Sequence, residues 1–183
     1  MMAFTTIDDP TIYFNTVLYT GNATSRSITG VGFQPDLVWN KTRSAGQNHF
    51  LFDSVRGGEK DIRSNQNAAE GSSDAVTAFN SDGFSVGSGN DGNENSQTYV
   101  NWSWKAGTTS GISGSPSITP SGYSFNATAG FSIIKWTGTG ANATLPHGLG
   151  VAPAVILIKN LDGGHWRVYH HKNTSAPETD FLE

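Results

Sequence analysis

The sequence predicts an all-β protein, an antiparallel β-sandwich or jelly roll built as a tandem repeat whose second copy is incomplete. Three observations predict it. Glycine-rich turn sequences punctuate the 183 residues every ten or so positions, and short alternating runs of apolar and polar residues lie between them. No stretch carries the 3.6-residue period of an amphipathic helix. The chain also repeats itself in order: Phe14-Asn15-Thr16-Val17-Leu18-Tyr19-Thr20-Gly21 returns as Phe131-Ser132-Ile133-Ile134-Lys135-Trp136-Thr137-Gly138. Residues 32–41 return as 150–159, and His49-Phe50-Leu51-Phe52 as His165-Trp166-Arg167-Val168. Duplicated strand-rich units fill space and present surfaces, whereas catalytic constellations rarely come in duplicate.

Residues 1–13 precede the repeat, and Asp8-Asp9-Pro10 within them is a turn-forming cluster, so they are read as an N-terminal arm. The first repeat covers 14–107. Its opening strand places Phe14, Thr16 and Leu18 on one side and Asn15, Val17 and Tyr19 on the other, and Thr20-Gly21-Asn22 turns the chain. Pro35 stands just before Leu37-Val38-Trp39, where an entering residue need not donate to a ladder. The matching run Ala154-Val155-Ile156-Leu157-Ile158 is apolar on both faces, and both runs are expected to be central strands. Residues 57–77 are the least strand-like part of this copy. Ser81-Asp82-Gly83 is a tight turn. From Tyr99 to Ala106 strict alternation puts Val100, Trp102 and Trp104 on one face and Tyr99, Asn101 and Ser103 on the other, so the two tryptophans are expected to be buried, at about 3–5 kcal/mol each. Residues 108–130 are a Gly/Ser/Thr/Pro-rich linker, and 131–183 form the second, incomplete repeat. That copy reaches Glu183 without counterparts of Phe84-Ser85-Val86 or of Tyr99 to Ala106. Either a longer natural chain or pairing with another unit is expected to cover it.

Composition narrows the function. Charged residues make up 14% of the chain and aromatics 11%, which is not the high-charge, aromatic-poor profile of disorder. A net charge of -4 supplies no clustered cations to displace counterions, so nucleic acid is not an expected partner. Without cysteine, neither disulfides nor thiolate metal sites can form. No basic segment followed by an apolar run opens the sequence and nothing approaches ~18 apolar residues, so a soluble chain with no membrane insertion is expected.

The residues that could carry chemistry are few. Asp91, Asn93 and Asn95 have the alternate spacing of a calcium loop, but Ser96 stands at its glycine position and Trp102 at its closing acid. They are a weak calcium candidate, and an ordinary hairpin loop is the preferred reading. The histidines His49, His147, His165, His170 and His171 lack the convergent spacing of a zinc site, and His49 and His165 hold equivalent repeat positions, which points to structural roles. No nucleophile elbow, HExxH, P-loop or dinucleotide fingerprint occurs. The chain is therefore read as not an enzyme, with no cofactor and no metal. Tyr99, Trp136, Trp166 and Tyr169 are the candidates for stacking on sugar rings, with core packing as the competing role for each.

Tyr19-Thr20-Gly21-Asn22, the run 32–39, Phe52-Asp53-Ser54-Val55-Arg56-Gly57, Ser81-Asp82-Gly83-Phe84 and the run 99–106 together resemble a family. It is the uncharacterised, lectin-like β-sandwich domain of tailed-bacteriophage virion structural proteins, of the marine podovirus type. The similarity spans the chain and includes 138–144 and His147-Gly148-Leu149-Gly150. It carries no catalytic residues across. The resemblance implies a virion component assembled in the host cytoplasm, with other tail or capsid proteins as partners, a homo-oligomeric state, and a host-surface polysaccharide as possible ligand. A tail fibre or tail appendage with a glycan-binding role in host attachment is the favoured expectation. A capsid decoration or cement protein is the alternative, and a glycan-cleaving tail enzyme the lesser one.

Overall fold

The alternating segments fold as strands. The computed structural model describes residues 7–176 of the chain. Its strands are β1 (Phe14–Thr20), β2 (Arg26–Thr29), β3 (Leu37–Thr42), β4 (Phe50–Asp53), β5 (Lys60–Arg63), β6 (Gly71–Ser72), β7 (Ala78–Asn80), β8 (Gly83–Val86), β9 (Thr98–Trp104), β10 (Gly122–Asn126), β11 (Phe131–Lys135), β12 (Val155–Ile158) and β13 (Arg167–His170). A 3-10 turn (Pro10–Ile12) precedes β1, and one helical turn, α1 (Asn90–Asn93), precedes β9.

A six-stranded antiparallel sheet in the order β1-β9-β3-β4-β5-β6 packs on a three-stranded sheet, β2-β8-β7. The protein is thus an all-β sandwich. Val38, Phe50 and Phe52 from the larger sheet meet Ile28, Phe84 and Val86 from the smaller, and Val31, Phe33, Ala75 and Val76 fill in from the loops. Burying each phenylalanine contributes about 1.5–3 kcal/mol. β3 is the central strand its apolar run requires, with β9 on one side and β4 on the other.

The turns have specific causes. Ser81 and Asp82 link the paired residues Asn80 and Gly83, whose φ of 147° suits glycine. The Asp82 carboxylate accepts the N–H groups of Gly30 (3.1 Å) and Gly32 (2.6 Å), and these donors hold it below the usual carboxylate range. At Gly21 a side chain would fall on the Glu94 carbonyl, so only glycine lets the end of β1 close against the segment after α1. After β4, Asp53 Oδ1 accepts from the N–H groups of Val55 (3.1 Å) and Arg56 (2.9 Å), and Oδ2 accepts Arg56 Nε at 2.6 Å. The same guanidinium donates to the carbonyls of Leu51 and Lys60 and to Glu70, which ties β4 to the β5 region.

Four expectations need correction. Along β9 the buried residues are Tyr99, Asn101 and Ser103, each fully enclosed, while Val100, Trp102 and Trp104 face outward and are half-buried. Phenylalanines already fill the interior, and Asn101 and Asn40 are held there as a hydrogen-bonded pair at 2.8 Å, so the hydrophobic pattern does not set this strand's orientation. β12 is not central. Among the described residues it pairs only with β13, and its four residues are 39–55% exposed. The Pro-led strands therefore hold non-equivalent sheet positions, and the described part of the second repeat does not reproduce the arrangement of the first. What recurs is the hairpin, shifted by one residue: Leu37 opposes Asp53, whereas Val155 opposes His170. The expected linker contains β10, and Thr108 bridges to Phe125. The stretch 57–77, the least strand-like part of the first repeat, contains β5 and the two-residue β6, which pair at the β4 end of the six-stranded sheet. Residues 1–6 of the arm and 177–183 of the second repeat lie outside the described residues.

The later strands are moored to the sandwich through Asp36, which is 3% exposed. Its Oδ1 accepts from Ser54 Oγ (2.7 Å) and Ser124 Oγ (2.9 Å), and its Oδ2 from the Ala106 N–H (2.8 Å). One buried carboxylate thus joins the end of β9, the β4 turn and β10.

Candidate functional site

The six-stranded sheet has one face on the core and turns the other outward. Register places Thr16, Trp102, Trp39, Leu51 and Ile62 in a straight row across β1, β9, β3, β4 and β5 on that outer face. Phe14, Trp104 and Leu37 form the next row. Trp39 and Trp102 meet edge to face at 5.8 Å, and Trp104 lies between Phe14 (4.9 Å) and Phe131 of β11 (6.3 Å). Such contacts contribute about 0.5–1.5 kcal/mol each beyond area burial and fix the ring orientations. Trp39 Nε1 donates to His49 Nδ1 at 3.1 Å, which locks the indole further. Burial, reinforced by the Lys41 charge, pushes the His49 pKa down, so the ring stays a neutral acceptor. Leu18, 59% exposed, stands at the end of this face.

A second feature lies where the connection between β12 and β13 meets the segment after β5. A depression of about 660 Å³ is lined by Ser64, Asn65, Gln66, Asn67, His165 and Trp166. Its two walls are pinned together. Trp166 Nε1 donates to the Arg63 carbonyl (2.9 Å), the Gly164 N–H to the Asn67 carbonyl (2.8 Å), and the Glu70 N–H to the Leu161 carbonyl (2.8 Å). Lys159 Nζ donates to the Gly164 carbonyl at 2.6 Å, and burial lowers its pKa. A smaller cavity of about 340 Å³ separates Ser54 and Val55 from Pro120 and Tyr123.

The structure divides the sugar-stacking candidates. Tyr99 is ruled out as a platform: it is fully buried, stacked on Tyr19 at 5.0 Å, with its hydroxyl accepting from the Glu94 N–H and donating to the Asn90 carbonyl. Trp136, Trp166 and Tyr169 are half-buried, and of these Trp166 lines the depression. The calcium-loop residues do not converge. Asn93 is 1% exposed and its amide is spent on the Thr24 and Gly87 carbonyls (2.7 Å each) and the Asn22 N–H (3.1 Å), while Asp91 accepts from Ser73 Oγ at 2.8 Å. Asn95 is exposed. His170 and His171 stack on each other at 5.3 Å. Among the described residues no group of three or more His, Cys, Asp or Glu is placed to hold a metal ion. The buried carboxylates Asp36, Asp53 and Asp61 are each engaged, Asp61 by Arg63 at 2.8 Å.

Sequence reasoning missed Trp39 and Trp102 as surface residues and Gln66 and Asn67 as lining. The alternation signal separates two faces of a strand without saying which is inside. The second pair lies in a polar run that composition reads only as loop.

A family model described as Domain of unknown function (DUF7483) matches residues 9–183. No curated protein and no solved structure matches the chain.

Proposed function

We propose that this chain, which belongs to the DUF7483 family, is a structural module of a bacteriophage virion, carried on a tail fibre or other tail appendage, where it binds host-surface glycan. The observation that carries the reading is the outward aromatic face of the six-stranded sheet. Trp39, Trp102 and Trp104 are oriented by ring contacts and by the bond to His49 rather than left to rotate, so little entropy is lost when a flat partner covers them. Rigid aromatic surface is the chemistry that sugar rings and protein partners both use. The motifs resembling the phage structural domain favour a virion setting. The engagement of the buried carboxylates in structural bonds favours binding over catalysis.

A second reading draws on β12, whose exposed apolar residues suit protein contact. On that reading the chain decorates the capsid and clamps neighbouring subunits. Quantitative mass spectrometry of purified virions separates the two. A few to tens of copies per particle support the appendage, hundreds support decoration, and absence from the particle defeats both.

A further inference from the structure

We infer that the depression between residues 64–67 and the His165-Trp166 pair is a subsite for one or two neutral sugar rings. The inference rests on the glycan-binding reading above and adds to it a place and a ligand class. Three observations lead there. The volume of about 660 Å³ falls in the range that holds a small ligand. The lining combines one indole with amide and imidazole side chains: Asn67 and His165 offer donors and acceptors to hydroxyl groups, and Gln66, whose Oε1 accepts from Arg63 Nη1 at 3.3 Å, offers its amide N–H groups. The walls come from distant parts of the chain and are already fastened by the bonds of Trp166 to Arg63, Gly164 to Asn67 and Glu70 to Leu161, so the site is formed before any ligand arrives.

Charge selects the neutral class. The cations beside the depression are occupied: Arg63 pairs with Asp61 at 2.8 Å, and Lys159 is turned onto the backbone carbonyls of Gly164 and Asn67. No Lys, Arg, Asp or Glu side chain is among the residues that line the depression, so an anionic sugar meets no fixed counter-charge in the lining itself. Trp166 keeps its polar edge on the Arg63 carbonyl, which leaves the ring's apolar surface as its contribution to a ligand. Asn65 serves the wall rather than the ligand, because its amide accepts from the His49 N–H and donates to Asn48.

Calorimetric titration of the full chain with maltotriose, cellotriose, chitotriose and, as the anionic comparison, trigalacturonate tests the inference. At least one neutral trisaccharide is expected to bind at least ~10-fold more tightly than trigalacturonate. Trp166→Ala should weaken binding on the order of 10-fold or more, as loss of a stacking platform does. Trp166→Phe, which keeps the platform, should stay within ~3-fold by the same reasoning. Gln66→Ala with Asn67→Ala should cost roughly 3- to 10-fold per lost hydrogen bond, and this exposed pair decides the matter should Trp166→Ala fail to fold. Thr29→Ala, on the opposite sheet, should change nothing. Neutral-sugar binding that survives the Trp166 and Gln66/Asn67 changes and falls instead with Trp102→Ala overturns the subsite and leaves the outer-face reading standing. Tighter binding of trigalacturonate overturns the ligand class. No binding of any trisaccharide overturns the subsite, and a full-length host polysaccharide then tests the wider reading by itself.

Discussion

Replacing Asn40 and Asn101 by leucine, singly and together, tests the arrangement in which β9 packs its polar face inward. The two amides are fully buried on neighbouring strands, directly opposed, with Asn40 Nδ2 donating to Asn101 Oδ1 at 2.8 Å. Each is only half satisfied, since Asn40 Oδ1 and Asn101 Nδ2 have no hydrogen-bond partner in the structure. A single leucine removes one partner and leaves a buried amide wholly or largely unpaired, at a cost of about 1–3 kcal/mol. For a chain of this length that lowers Tm by roughly 2–4 °C per kcal/mol. The double replacement removes both amides and fills the space with methyl groups, so it should return to within about 1 kcal/mol of the parent, a favourable coupling of roughly 1–5 kcal/mol. Urea unfolding followed by far-UV circular dichroism measures all four corners of the cycle. Neutral singles would refute the assignment, because amides that can be removed without cost are facing water. Additive losses would refute the pairing.

The remaining predictions concern single sites. Arg56→Met should cost about 3–5 kcal/mol in urea unfolding, because it strands the buried Asp53 carboxylate 2.6 Å from the lost guanidinium and frees two backbone carbonyls. Gly21→Ala should destabilise by about 2–3 kcal/mol or more, since its methyl group would overlap the Glu94 carbonyl in backbone that cannot easily move. Burial raises the pKa of Tyr19, strongly, and of Tyr99 above that of a free phenol, so the unfolded chain loses these protons first. Stability is therefore complete below pH ~10 and falls as pH rises above it, with both phenols ionising together with unfolding in absorbance at 295 nm. His49 has the opposite sense. Its lowered pKa means the unfolded state binds a proton first, so the stability it supplies is present above pH ~6.5 and is lost as pH falls below that value. The change should be accompanied by altered Trp39 fluorescence and be absent in His49→Gln.

The sandwich was legible because turn chemistry and alternation are local. Ser81-Asp82-Gly83 marks its hairpin through one glycine, and the Leu37-Val38-Trp39 run marks a central strand through apolar residues on both faces. Which side of β9 faces inward was not legible. Alternation is symmetric until the neighbours are known, and here Asn40 on β3 and the crowd of phenylalanines decide it. The repeat misled for a related reason. Similar residues in β3 and β12 encode the same hairpin, but burial depends on a third strand, and among the described residues β12 has no counterpart of the partner that β9 gives β3. Of the sugar-stacking candidates, Tyr99 was lost to the core because its hydroxyl finds two backbone partners there. Trp166 lines a depression whose opposite wall, 64–67, could not be placed beside it without the fold.

Competition for adsorption tests the central claim most directly. Host cells preincubated with an excess of the purified chain are challenged with virions, and free particles are counted as a function of time. A chain that binds the host surface as part of a tail appendage occupies the virion's own receptors, so adsorption should slow in proportion to the chain added, and periodate oxidation of the cell surface should abolish chain binding. Adsorption unchanged at saturating chain, with the chain recovered from the capsid shell rather than the tail, would contradict the account.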